Sequence, residues 1–138
     1  MSSHPVKQVI EAADRAIGAE DFDSLMDFYA DDAILVVMPG VLARGKAEIR
    51  SAFVRIAEYF GHSIVVKQGE MIVIEGGDTA LAICETLLDF VEKNGSMASA
   101  ARRATYVFRK GAAGEWLCVI DNSYGTELLR AERGADAV

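Results

Sequence analysis

Polar residues set into apolar, strand-like runs are where this chain could do chemistry: Gln68, Glu70, Glu85, Arg103, Thr105, Asp121 and Asn122. Strand register brings some of them together. A hairpin centred on Asn94 pairs residues whose numbers sum to about 188, which sets Glu85 opposite Arg103. A second hairpin, centred near Ala112 and Ala113, sums to roughly 224 or 225, which sets Arg103 opposite Asp121 or Asn122. A carboxylate, a guanidinium and a carboxylate or amide then lie in a row across three strands. Arginine suits the middle place because its fixed fork satisfies two acceptors at once. Two readings of the row stand side by side. In one it is a pocket floor, where Arg103 anchors an anionic or carbonyl group and Glu85 or Asp121 exchanges a proton. In the other it is an ion pair that neutralises itself on the sheet or across a dimer interface.

Other chemistries find less to work with. The two histidines, His4 and His62, have no His-x-Glu or Cys-x-x-Cys companion, so no metal site is expected. No Gly-x-Ser-x-Gly turn presents a nucleophile. No phosphate-cradling, nicotinamide or flavin fingerprint occurs, so no cofactor is expected. His62 follows Gly61, a suitable left-handed helix cap, and reads as a helix-end residue near solvent. Cys84 and Cys118 fall inside apolar runs and read as buried, reduced thiols. Tyr29, Met38, Tyr59, Trp116 and Tyr124, with Thr105 and Asn122, are the candidate ligand-binding residues. Aromatic walls with a few polar groups are what a small-molecule site requires.

The elements that must position these residues fall into two halves. Val6, Ile10, Ala13 and Ile17 recur at helical spacing in a first helix from Pro5 to Gly18. Asp21 is a plausible N-cap for a second helix carrying Phe22, Leu25, Met26, Phe28 and Tyr29. Residues 33–38 form a short buried strand, followed by a Pro39-Gly40 corner. A third helix, 46–60, places Ile49, Phe53, Ile56 and Phe60 on one side and ends at Gly61. From His62 the period changes to that of strands: 63–75, 79–91, 99–110 and 115–124, separated by Gly-rich turns. Strands joined so tightly are antiparallel neighbours, and helices followed by a meander give an α+β fold. The strand 79–91 is apolar on both sides, although an antiparallel sheet with one wet face should alternate. Helices and a pocket cover one face only, so the other is expected to meet a second copy in a homodimer.

Length and charge bound the rest. At 138 residues one domain is expected, 1–125, with a polar, Ala-rich tail over 126–138 that is partly helical or disordered. The formal charge is −7, which argues against nucleic acid or an anionic membrane as partner. No apolar run is long enough for a membrane span, and the first residues lack a signal-peptide pattern, so a cytoplasmic location is the default expectation.

Two segments carry a family resemblance. Residues 21–52, DFDSLMDFYADDAILVVMPGVLARGKAEIRSA, and residues 104–125, ATYVFRKGAAGEWLCVIDNSYG, resemble the SnoaL-like branch of the nuclear transport factor 2-like superfamily. The resemblance covers about residues 11–125. It implies a cone-like curved sheet, mixed or antiparallel, with three N-terminal helices (a cystatin-like α+β barrel) enclosing a pocket for a small hydrophobic molecule. It also implies cofactor-free acid–base chemistry of the isomerase, cyclase or hydratase kind, or a binding protein, or an assembly module of the kinase-association type. Ketosteroid isomerases of this superfamily place an Asp base where this chain has Met38, and oxyanion donors near Ala13 and Thr105. Limonene epoxide hydrolase-like members use an Asp-Arg-Asp set, of which Arg103 and Asp121 resemble two parts and Thr105 stands at the third.

Overall fold

The computed structural model describes residues 4–129. Helix α1, Pro5–Ala19, starts with His4 as N-cap, whose ring accepts from the Val6 N–H at 3.1 Å. It buries Val6, Ile10 and Ala13, and on the same face Asp14. The helix runs past Gly18 and is closed by Glu20 in the left-handed region, φ 56°. Asp21 caps the next segment by accepting from the Ser24 N–H. That segment is shorter than its apolar content predicts. It comprises α2, Phe22–Leu25, and one 3-10 turn, Met26–Phe28, because Tyr29 already belongs to strand β1.

Strand β1, Tyr29–Met38, turns at Pro39-Gly40 into β2, Val41–Arg44, a strand that sequence reasoning missed between the corner and the helix. Helix α3, Gly45–Tyr59, buries Ile49, Ala52 and Ala57, and the Arg44 N–H donates to Glu48 Oε1 to close its start. Strands β3, Val65–Gly76, β4, Thr79–Val91, β5, Met97–Lys110, and β6, Trp116–Asn122, follow as an antiparallel meander. The six strands form one curved, unclosed sheet in the order β2-β1-β6-β5-β4-β3. Every pair is antiparallel except β1 with β6, which joins the helical half of the chain to the meander. α1 packs against β3 and α3 against β1, so the concave face is covered by helices. Among the described residues no helix is long and apolar enough to cross a membrane. Most of the expected tail, 126–138, lies outside the described residues.

The two hairpin registers came out differently. Every β4–β5 pair sums to 188, so Glu85 does face Arg103. The β5–β6 pairs sum to 226 and then 227, which sets Asp121 opposite Tyr106 and Asn122 opposite Thr105. Arg103 has no partner in β6. Two causes shift the register. The Gly111 N–H donates to the Glu115 carbonyl, so the loop spans one residue more than a tight turn. One extra residue, Val119, then sits in β6 opposite the Val107–Phe108 step as a β-bulge. Trp116 and Cys118 face inward before the bulge and Asp121 after it, because an inserted residue reverses which side chains face the core. A second bulge, at Gly69-Glu70, does the same in β3.

Gly125 closes the turn after β6 at φ 57°, and a Cβ there would strike the backbone carbonyl of Arg103. Gly125→Ala is expected to cost on the order of 2–4 kcal/mol in urea unfolding. Gly18→Ala, in open space within α1, should instead stabilise by about 0.5–1 kcal/mol.

Candidate functional site

Between the concave face and the helices lies a cavity of about 220 Å³. The helical side contributes Asp14, Ile17, Glu20 and Phe22, then Phe53, Ile56 and Phe60. The sheet contributes Leu35, Val37, Val66, Thr86, Leu88, Arg102, Tyr106 and Asp121, and the turn after β6 contributes Tyr124. The wall is mainly aliphatic and aromatic, which makes its few polar groups the functional candidates.

Asp121 is 7% exposed, and its Oδ2 accepts from the Tyr29 hydroxyl at 2.6 Å. Burial pushes its carboxyl up to about 6, opposed by the Tyr29 hydrogen bond, which favours the ionised form. Asp14 Oδ2 accepts from Gln68 Nε2 at 2.8 Å, and Gln68 Oε1 accepts from Thr86 Oγ1. Burial also lifts Asp14 to about 6, with the Gln68 bond opposing and the negative charge of Asp121 adding to the rise. Tyr29 and Tyr106 are held well above their ordinary value, first by burial and then by Asp121. Both phenols therefore stay neutral, and Tyr29 acts as a donor.

This arrangement places two interacting carboxyls in an apolar chamber, each titrating near neutrality. Burial is the main cause at both, and the charge of Asp121 adds to the rise at Asp14. Among the described residues no group of three His, Cys, Asp or Glu side chains is placed to hold a metal ion.

The sequence-derived candidates separate by face. Asp121 and Tyr124 line the cavity, and Tyr29 supports Asp121 from the buried side. Glu85 and Arg103 lie exposed on the opposite, convex face, where Glu85 covers Gly69. They do not join Asp121 in one row, because the β6 register carries Asp121 past Arg103 and the strand's alternation turns Arg103 outward. Arg102, its neighbour, takes the inward place. Thr105 also faces outward and accepts from Asn122 Nδ2, while Asn122 Oδ1 receives the Tyr124 and Gly125 N–H groups as a turn brace. Met38 is 50% exposed beside the β1–β2 irregularity. Tyr59 is 67% exposed and stacks edge-on against Phe60, which holds the cavity position instead. Trp116 is buried at the other end of the fold, against His4 and Lys110. Cys84 and Cys118 are free and buried, and burial pushes the Cys84 thiol up to about 12, so neither is a nucleophile. His62, at φ 62°, pairs with Glu20 at 2.9 Å at the helix ends.

Asp14 and Arg102, which line the cavity, and Gln68, which holds Asp14, are the candidates that the sequence left unmarked or without a role. Asp14 had a legible signal, since it falls on the same helical stripe as Ile10 and Ile17.

The SnoaL-like domain family model matches residues 6–119. No curated protein matches the chain. Among solved structures, an NTF2-like protein with a cystatin-like fold from Novosphingobium aromaticivorans is similar at TM-score 0.75 and 21% identity, over 91% of this chain and 84% of that one. A proposed dehydratase of the NTF2-like family from Streptomyces avermitilis is similar at TM-score 0.71 and 21% identity, over 85% and 91%. A proposed calcium/calmodulin-dependent protein kinase II association domain from Xanthomonas campestris aligns at TM-score 0.72 and 18% identity, over 85% and 82%. These likenesses establish the fold.

The two buried carboxyls make a pH prediction. Their native values, about 6, lie above the ordinary 3.8, so between those values the folded protein holds protons that the unfolded chain has released. Their contribution is therefore present at low pH and lost as pH rises through 6. Asp121→Asn, which keeps an acceptor for Tyr29, should reduce that slope in urea unfolding measured against pH. At pH above 7 it should be more stable than the parent by about 1–3 kcal/mol.

Proposed function

The chain belongs to the SnoaL-like domain family, and on that premise we propose that it is a small-molecule pocket enzyme. Its chemistry is cofactor-free acid–base catalysis of the isomerase, cyclase or hydratase kind on a small hydrophobic carbonyl compound. The observation that carries this reading is the buried pair Asp121 and Asp14, both lifted to about 6 inside an apolar chamber. An ionised carboxylate of the pair takes a proton from the carbon beside the carbonyl. The protonated member donates to the carbonyl oxygen, and the resulting enol is neutral. With a β,γ-unsaturated ketone the enol is a dienol. Returning the proton to its γ-carbon, while the enol O–H gives its proton back to the other carboxylate, gives isomerisation. Attack by the enol carbon on an internal carbonyl, which takes up the abstracted proton as the enol O–H returns its own, gives cyclisation. The Tyr29 hydroxyl holds Asp121 in place and favours its ionised form, which suits it as the base. Glu85 and Arg103, on the convex face, have no part in this scheme.

The test uses solvent deuterium exchange at the α-carbon of phenylacetone, a small apolar ketone, followed by NMR. The exchange rate is expected to rise with an inflection near pH 6, and Asp121→Asn should lower it about 100-fold or more. Exchange no faster than in buffer, with phenylacetone bound in the cavity, would leave a non-catalytic binder of hydrophobic ligands. The predominantly apolar wall favours that second reading.

We also propose that the convex face meets its own copy. Ile74, Leu81, Val107, Ile120 and Ile34 align in register across five strands of that face, and Ile74 and Ile120 are strongly exposed. Sedimentation should give a dimer that Ile83→Glu, on the same face, converts to monomer. A parent protein that sediments as a monomer at micromolar concentration would refute the interface, and a larger ring would favour the assembly-module reading.

A further inference from the structure

We infer that Arg102 is an anchor for a carboxylate, so that the compound entering the cavity is a small apolar acid whose reacting end lies away from its anionic end. This rests on the acid–base reading of the cavity and adds the substrate class.

The charged groups that line the cavity are not equally occupied. Asp121 is held by Tyr29, Asp14 by Gln68, and Glu20 by His62. Arg102 differs: among the described residues its contact is the face of the Tyr124 ring, 4.3 Å from the guanidinium carbon to the ring centroid, with no carboxylate in ion-pair distance. The ring face accepts no N–H hydrogen bond of the kind a carboxylate makes. No other partner takes the guanidinium fork among the described residues, so the fork that matches a carboxylate is available. Tyr124 is itself fixed at both ends. Its N–H donates to Asn122 Oδ1 at 3.1 Å, and its hydroxyl donates to the Val37 carbonyl at 3.4 Å. The platform under the arginine is thus built into the turn that follows β6.

Register supplies the spacing. Arg102 stands opposite Thr86, on the rung that continues to Gln68, whereas Asp121 stands opposite Tyr106. Four residues along one strand separate those rungs by about 13 Å at the backbone. The guanidinium and the Asp121 carboxyl therefore serve different parts of one ligand, with an apolar wall including Leu88 and Val66 alongside. The cavity, about 220 Å³, is smaller than the roughly 300–1,000 Å³ of sites for drug-sized ligands, which limits the body between the two ends. Arg102 is a binding and specificity residue and takes no proton.

The experiment compares phenylacetate with phenylacetamide, a neutral probe of nearly the same shape, by NMR titration at neutral pH. The parent protein is expected to bind the acid about tenfold or more tightly than the amide. Arg102→Met should bring the two affinities together, and Arg102→Lys should restore part of the difference. Asp121→Asn should keep the preference, because it leaves the arginine and its platform in place. Equal binding of acid and amide by the parent would overturn the anchor while leaving the acid–base reading intact, and so would a preference that survives Arg102→Met. If neither probe binds, the cavity reading beneath both proposals fails. The parent's acid-to-amide ratio decides the matter even if the Met variant does not fold.

Discussion

The hydrogen bond from the Tyr29 hydroxyl to Asp121 spans 92 positions of sequence and joins the two halves of the chain at their seam. Tyr29 opens β1, Asp121 lies near the end of β6, and these two strands form the single parallel pairing in the sheet. Through that seam the helical half is attached to the meander. α1 then reaches across to β3 and α3 lies over β1, and the space left between them is the cavity. A buried phenol or carboxyl without a partner costs roughly 2–7 kcal/mol in transfer from water. Each of these two groups therefore requires the other, and the fold around them is constrained to bring them within 2.6 Å.

The same burial that demands a partner shifts the titration of both carboxyls. Removal of water disfavours charge on Asp121 and on Asp14 alike, and the negative charge of Asp121 adds to the rise at Asp14. Gln68 and Thr86 form a short relay that holds Asp14 from the sheet side, so a helix residue and a strand residue act as one unit.

Strand parity decides which residues reach this environment. On β5 the inward set is Arg102, Ala104, Tyr106 and Phe108, and the outward set is Arg103, Thr105 and Val107. Adjacent arginines thus have opposite fates. On β6 the Val119 bulge reverses the alternation, so that Asp121 follows Trp116 and Cys118 to the inner face in spite of its odd spacing from them. Were the same β6 sequence to run without the bulge, Ile120 and Asn122 would face the helices, while the carboxylate would face outward. The bulge is what places this acid on the buried side.

Much of the architecture was legible without coordinates. Apolar spacing marks α1 and α3, the change to strand periodicity at His62 marks the meander, and Asn94-Gly95 sets the β4–β5 register residue by residue. These are local properties, written in adjacent side chains and one tight turn. Asp121 and Tyr124 were legible as candidates, being polar or aromatic interruptions in an apolar run, and both line the cavity. The pairing of Asp14 with Gln68, the inward turn of Arg102 and the displacement of Asp121 from Arg103 were not. They depend on a bulge, on a loop one residue longer than a tight turn, and on a helix laid across a distant strand. Periodicity specifies that a strand has two faces. Which face becomes the interior is settled only when separate elements meet and exclude water between them.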